Sequence, residues 1–271
     1  MKPCKLVCVD VDNTLVTRDL RLPEENRVWV QRLVKEKHIP FAIVSGRFRG
    51  SVTPLVRELG VDTIVCCFNG NYVEMNGEVL FQRQMDVDVV RDIHHATRDS
   101  GMYGLIFDLD DWYVESKGYW YDHQLKMSPD SGHIVNFDQL LDKWEREGHP
   151  FFKIILKSQD AELVKRTETL LRERMGSGAD VFLSSPNILE TAPKGTDKAS
   201  VVALLAEKLH ISVDEIMAIG DYDNDLGMLR ASGFPVAVEN ATDEVKAVSK
   251  YVTSSCGEAG VAKAIRKFIF D

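Results

Sequence analysis

No apolar run in this chain approaches the about 18 residues of a membrane-crossing helix, so a role as a membrane protein is not expected. The apolar run nearest the N-terminus is interrupted by Asp10 and Asp12, and no leader peptide is expected there. Basic excess is also missing: with 33 Lys and Arg against 42 Asp and Glu, the net charge is −9. Nucleic acid, which calls for a basic patch, is therefore not expected as a partner. Phosphorylated small molecules remain open, because a bound metal can supply local positive charge. Cysteines are few and odd in number, and none of the five has the spacing of a zinc ligand pair. Cys8, Cys66 and Cys67 sit in apolar runs, where a free thiol behaves as a small hydrophobe. That usage points to a reducing compartment, the cytoplasm. There is no internal repeat and no low-complexity segment. What is present is a globular composition, 44% hydrophobic and 28% charged over 271 residues, enough for one or two domains.

The chain opens on the apolar run Leu6-Val7-Cys8-Val9, followed at once by Asp10-Val11-Asp12-Asn13-Thr14. Such a run reads as a buried strand of a parallel sheet, and ligands of such sheets bind at the carboxyl ends of the strands. Two carboxylates this close repel unless a cation or a shared proton relieves them, and a divalent metal is the first expectation. The plain alternative is a strand end running into an Asp/Asn turn. A helix is expected from Pro23 to about Lys37, and a second buried strand at Phe41–Val44 ends on Ser45-Gly46-Arg47. A third strand covers residues 62–67. Asn76-Gly77 signals a hairpin between Tyr72–Met75 and Glu78–Leu80.

The texture changes near residue 82. From there to about 185 the sequence predicts helices at 86–100, 137–147 and 160–175, and strands at 103–107, 112–115, 151–156 and 181–183. This is read as an inserted α+β domain with an antiparallel sheet. The α/β rhythm then resumes with a helix at 199–209 and a strand at Ile216–Ile219 ending on Gly220-Asp221. A further strand is expected at 235–238 and short helices at 245–248 and 260–268. The fold class expected is α/β, a Rossmann-like parallel-sheet core of residues 1–82 and 186–271, with an α+β domain at 83–185.

Four polar motifs fall at element ends in the α/β parts: Asp10-x-Asp12-x-Thr14, Ser45-Gly46-Arg47, Lys198, and Gly220-Asp221-x-x-Asn224-Asp225. In these motifs, their order and the position of the insertion, the chain resembles the haloacid dehalogenase (HAD) superfamily of phosphohydrolases, more closely its Cof-type subfamily. The resemblance covers essentially the whole chain. It implies a HAD-like core with an inserted cap domain and a Mg2+-dependent phosphatase of small phosphorylated metabolites, with sugar phosphates foremost. Asp10 matches the family nucleophile and Asp12 the general acid, whose main-chain carbonyl also serves the metal. Asp10, Asp12 and Asp221 are then the expected metal set. Ser45, Gly46, Lys198 and Asn224 match phosphate-binding positions, while Thr14 and Asp225 support the loop and the metal shell. Arg47 either pairs structurally or faces the substrate, and Glu190 lies where caps of this type approach theirs. Lys194 is a second candidate for the lysine motif, but Lys198 opens the helix after the insertion. A phosphomutase on the same scaffold, or a non-catalytic phosphometabolite-binding protein, stands as the alternative; oligomeric state is left open.

Other acid and aromatic clusters have plainer readings. Asp221-x-Asp223-x-Asp225 begins like a calcium loop, but Leu226 replaces the required glycine and Ser232 the final glutamate. In the acid cluster Asp108-Leu109-Asp110-Asp111, Asp110 and Asp111 sit at an expected hairpin tip, and the cluster reads as structural. His94 and His95, adjacent on a helix, are expected at the surface, and His123, His133 and His149 show no ligand spacing. Trp112, Tyr113, Tyr119, Trp120 and Tyr121 either pack the insert's own core or lend one or two rings to the substrate.

Overall fold

The structure is a computed structural model that describes residues 3–271. In chain order the elements are β1 (Leu6–Val9), α1 (Glu24–Lys37), β2 (Phe41–Val44), α2 (Arg49–Leu59), β3 (Ile64–Cys67), β4 (Tyr72–Met75) and β5 (Glu78–Gln82). Next come α3 (Val87–Thr97), β6 (Tyr103–Phe107), β7 (Trp112–Val114), α4 (Tyr119–Met127), β8 (Gly132–Ile134), α5 (Phe137–Glu147), β9 (Lys153–Lys157), α6 (Ala161–Met175), β10 (Ala179–Ser185) and β11 (Ile188–Pro193). The chain closes with α7 (Ala199–Lys208), β12 (Ile216–Gly220), α8 (Leu226–Ala231), β13 (Phe234–Ala237), α9 (Asp243–Val248), β14 (Tyr251–Val252) and α10 (Gly260–Ile265). No helix among the described residues is long and apolar enough to cross a membrane.

Two compact units result. The first holds residues 1–47, 52–82 and 197–271, and the second residues 48–51 and 83–196. In the first unit the sheet order is β14-β13-β12-β1-β2-β3-β4-β5. Strands β14 through β3 run parallel, and β4 and β5 are antiparallel. Each residue of β1, β2 and β12 is buried, as a strand covered on both faces requires. Burial of one such aliphatic side chain contributes about 1.5–3 kcal/mol. Strand β1 lies between β12 and β2, so the chain winds outward from it in both directions. The switch in order falls at β1, and open sheets of this kind bind ligands beyond the carboxyl ends of the strands at such a point. The β4–β5 turn follows the Asn-Gly signal: Asn76 and Gly77 both take positive φ, 53° and 79°, the left-handed pair that a tight hairpin needs.

The second unit is a six-stranded sheet in the order β10-β11-β9-β6-β7-β8, antiparallel except for β7 with β8. Residues of α3, α5 and α6 pack one core with Ile106, Ile154 and Leu156 of the sheet. The boundary expected at 185 is corrected here. Strand β11 pairs with both β10 and β9, so the second unit runs on to Thr196 and a cut at 185 would split a hairpin. Helix α4 lies where the sequence pattern predicts no helix. His94 is not a surface residue: it is 7% exposed and its ring meets Phe137 edge-on, while His95 is exposed and reaches Asp138. Trp112 is buried against Tyr121, and Tyr113 packs on Trp144, whereas Tyr119 is exposed. The Asp108 carboxylate accepts the backbone N–H groups of Asp110 and Asp111 and pairs with Tyr113 and His149, the structural role expected of that acid cluster. All five cysteines are free thiols. Burial pushes Cys8 and Cys66 upward, which leaves them inert.

Candidate active site

Strand β1 ends where Asp10 N–H donates to the Ile219 carbonyl at 3.0 Å. The chain then folds into a wide turn in which Leu15 N–H donates to the Asp10 carbonyl and Val16 N–H to that of Val11. Asn13 takes φ 56° inside it, a conformation asparagine tolerates better than most residues. Asn240 pins the turn by donating to the Asn13 carbonyl at 2.9 Å while accepting from Cys256 N–H at 2.8 Å. The turn is thus fixed from outside, and Asp10, Asp12 and Thr14 hang from a rigid frame.

Strand β12 ends on Gly220, and Asp221 follows. One carboxylate oxygen of Asp225 accepts from Asp221 N–H at 2.9 Å and Tyr222 N–H at 3.2 Å. Gly220 is required by this close approach, since a Cβ there would lie 2.6 Å from the Asp225 carboxyl atoms. Lys198, just before α7, is fully buried, and its Nζ donates to Asp10 Oδ1 and Asp225 Oδ1, both at 2.6 Å. Thr14 Oγ1 donates to Asp221 Oδ1 at 3.0 Å. Asp10, Thr14, Lys198, Asp221 and Asp225 are therefore one bonded network. Lys194, the rival lysine, pairs with Asp180 in the second unit.

Charge in this network is unbalanced. Asp10, Asp221 and Asp225 each offer an oxygen within 4.8 Å of the others, and one ammonium faces the three. Burial first, and then the Asp225 charge, hold the Asp10 carboxyl well above the usual range despite Lys198. Burial, followed by Asp225, pushes Asp221 up to about 7. Burial alone would lower the Lys198 ammonium, but Asp10 and Asp225 outweigh it and hold it up. Buried oxygen donors with surplus negative charge suit a hard divalent cation such as magnesium. Both Asp225 oxygens are already engaged, so that residue braces the site, and Asp10 and Asp221 are the carboxylates left to a cation.

The Asp12 side chain turns elsewhere. It is 43% exposed and forms a two-pronged pair with Arg47, Nη2 to Oδ1 at 2.6 Å and Nε to Oδ2 at 3.0 Å. That pair engages the Arg47 guanidinium through two of its nitrogens. Ser45 is buried at the end of β2, and its Oγ accepts from Arg47 N–H at 3.1 Å. Asn69, absent from the sequence-based set, joins here: its N–H donates to the Ser45 carbonyl at 2.9 Å, and its Oδ1 lies 3.4 Å from Asn224 Nδ2. A Cβ at Gly46 would sit 3.1 Å from that same Oδ1. Asn69 takes φ 55°, so the strand end followed by Phe68-Asn69-Gly70 carried a turn signal but no chemical one. Glu190 belongs to the second unit, on β11, where it pairs with Lys153 at 2.8 Å.

Comparison with known proteins supplies the frame for this geometry. The family model described as haloacid dehalogenase-like hydrolase matches residues 7–265. The 5-amino-6-(5-phospho-D-ribitylamino)uracil phosphatase of Bacillus subtilis is 25% identical over 98% of this chain and 96% of its own. The HMP-PP phosphatase of Klebsiella pneumoniae is 28% identical over 90% of this chain and 87% of its own. Among solved structures, a haloacid dehalogenase-like hydrolase from Bacteroides thetaiotaomicron superposes with a TM-score of 0.89 at 28% identity, covering 97% of this chain and 99% of that one.

Proposed function

Because the chain belongs to the haloacid dehalogenase-like hydrolase family, we propose that it is a magnesium-dependent phosphatase of small phosphorylated metabolites, sugar phosphates foremost, working through a phosphoryl group held on Asp10. The observation that carries this is the buried network in which Lys198 bridges Asp10 and Asp225 beside Asp221. The names of the Bacillus subtilis and Klebsiella pneumoniae relatives support the substrate class.

In the first step an Asp10 oxygen forms a bond to phosphorus as the bond from phosphorus to the leaving oxygen breaks. Asp12 gives its proton to that oxygen. In the second step Asp12 takes a proton from water, the water oxygen bonds to phosphorus, and the Asp10–phosphorus bond breaks to release phosphate. One residue serves both steps because its protonation alternates. The two-pronged pair with Arg47 matches Asp12 as a carboxylate, so Asp12 leaves Arg47 to act as a donor. Lys198 neutralises charge on the nucleophile and the incoming phosphate. Ser45, Gly46 and Asn224 are the phosphate-side contacts, and Thr14 and Asp225 keep Asp221 and Lys198 in place. Asp10, Asp221 and the Asp12 carbonyl would hold magnesium, which when bound supplies the positive charge that lets a carboxylate approach a phosphate.

The test is release of p-nitrophenol from p-nitrophenyl phosphate with magnesium, and its arrest by EDTA. Asp10→Asn should keep the circular dichroism of the wild type and lose turnover. Wild-type turnover in that variant overturns the assignment, and a screen of phosphorylated metabolites then ranks substrates.

A further inference from the structure

Strand β9 of the second unit reads Lys153-Ile154-Ile155-Leu156-Lys157, and every one of these residues is buried. Alternation along a strand sends residues 154 and 156 to one face and 153, 155 and 157 to the other. Ile154 and Leu156 lie in the helix-covered core. Lys153 and Lys157, 8% and 3% exposed, lie on the opposite face. Lysine is almost never buried so deeply without a partner. Lys153 has one in Glu190, at 2.8 Å. Lys157 does not: among the described residues no carboxylate reaches its ammonium. Its hydrogen bond goes to Gln124 Oε1 of α4 at 3.5 Å, the outer limit of such a contact, and the Trp120 ring centroid lies 5.5 Å from its Nζ.

The surroundings cancel this charge only in part. Glu190 is the one carboxylate acting on Lys157, and it is shared with Lys153, whose own charge opposes that of Lys157. His123 of α4 is held down by burial and then by Lys157 and Lys126. Burial lowers Lys157 to about 8, so it remains mostly an ammonium at neutral pH. A buried cation without its own counter-ion is costly, and a hydrophobic side chain of similar volume would be cheaper. The arrangement makes sense where an anion completes it.

We propose that Lys157, Gln124 and Trp120 form a binding site in the second unit for the carboxylate or phosphate group of a small metabolite. The anion displaces the weak Gln124 Oε1 contact and takes the Lys157 ammonium as its donor. Rotation of the Gln124 amide then turns its NH2 group toward the same anion. The indole of Trp120 lies alongside the apolar part of the ligand. Two sources carry this chemistry: a second acidic group on the phosphorylated substrate, or a separate effector. The first source rests on the phosphatase reading above, and the second does not.

The test compares wild type with Lys157→Met and with Lys157→Arg, which keeps the charge. Three substrates are used: p-nitrophenyl phosphate, glycerol 3-phosphate and 3-phosphoglycerate, the last carrying a carboxylate. Succinate binding is followed by calorimetry in parallel. If the substrate supplies the anion, Lys157→Met lowers kcat/KM for 3-phosphoglycerate by about tenfold to a hundredfold, leaves the other two substrates unchanged, and Lys157→Arg restores most of the loss. If an effector supplies it, succinate binds wild type and Lys157→Arg but not Lys157→Met. Equal specificity and equal succinate titrations in all three folded proteins overturn the proposal. Absence of p-nitrophenyl phosphate turnover in the wild type counts against the phosphatase reading instead, and succinate binding still decides this one.

Discussion

Replacing Lys198 by methionine removes one ammonium and little volume. In the native protein that ammonium donates at 2.6 Å to both Asp10 and Asp225, and all three side chains are buried. Removing one partner of a buried pair costs about 3–5 kcal/mol, because it strands the other charge. The cost should depend on pH in a definite direction. Burial and the Asp225 charge already hold the Asp10 carboxyl up, and without Lys198 nothing offsets them, so the native state holds more protons than the unfolded chain across that window. Stability then falls as pH rises through it, by about 1.4 kcal/mol for each unit of pKa difference. In the wild type Lys198 is raised rather than lowered, so its contribution is fully present below the ordinary lysine range and is lost only far above neutrality. Urea unfolding at about pH 5 and pH 8 should show the difference between wild type and Lys198→Met widening at the higher pH. Added magnesium should narrow it, and turnover of an aryl phosphate should drop by about 10²–10³. A difference below about 1 kcal/mol at both pH values would refute the idea that Lys198 compensates these two acids.

Further expectations follow from the same geometry. Gly220→Ala places a Cβ 2.6 Å from the Asp225 carboxyl, which Lys198 and two backbone N–H groups prevent from yielding; it should cost about 1–3 kcal/mol in thermal unfolding and lower activity. Asp221, raised to about 7 by burial and Asp225, must lose its proton to hold a metal. Magnesium should therefore raise the melting temperature more at pH 8 than at about pH 5.5, and equal shifts would count against Asp221 as a ligand. Lys157 is lowered to about 8, so the unfolded chain holds more protons between that value and the ordinary lysine range, and stability rises with pH across it. Lys157→Met should stabilise the protein by up to about 3 kcal/mol at neutral pH, with the gain vanishing near the ordinary lysine value; a destabilised variant at pH 7 would show the buried charge to be harmless.

The parallel-sheet core was legible because its signals are local. Apolar runs at β1, β2 and β12 each end abruptly in the polar residues that form the site, and the offset of Lys198 from α7 separated it from Lys194. What escaped the sequence depends on partners far along the chain. Asn69 and Asn240 matter through bonds to Ser45 and Asn13, and neither stands in a motif. Strand β11 mixes Glu190 and Thr191 among apolar residues, because its acid is neutralised by Lys153 from the neighbouring strand. Helix α4 is built of Tyr119, Trp120, Tyr121 and His123, residues of modest helix propensity, and no apolar stripe marks it. His94 reads as polar but is buried by Phe137, a neighbour that only the tertiary fold supplies.

The most direct test of the central claim is to catch the phosphoryl group on the enzyme. Asp12→Asn, which removes the base that activates water, is mixed with radiolabelled substrate and magnesium and quenched in acid, and the peptides are mapped by mass spectrometry. Asp10 attack predicts one phosphoryl group on the peptide carrying Asp10, labile to hydroxylamine as an acyl phosphate is, and none in Asp10→Asn. An enzyme that turns over in the wild type but carries its label on another residue, or whose Asp10→Asn form labels equally, would contradict it.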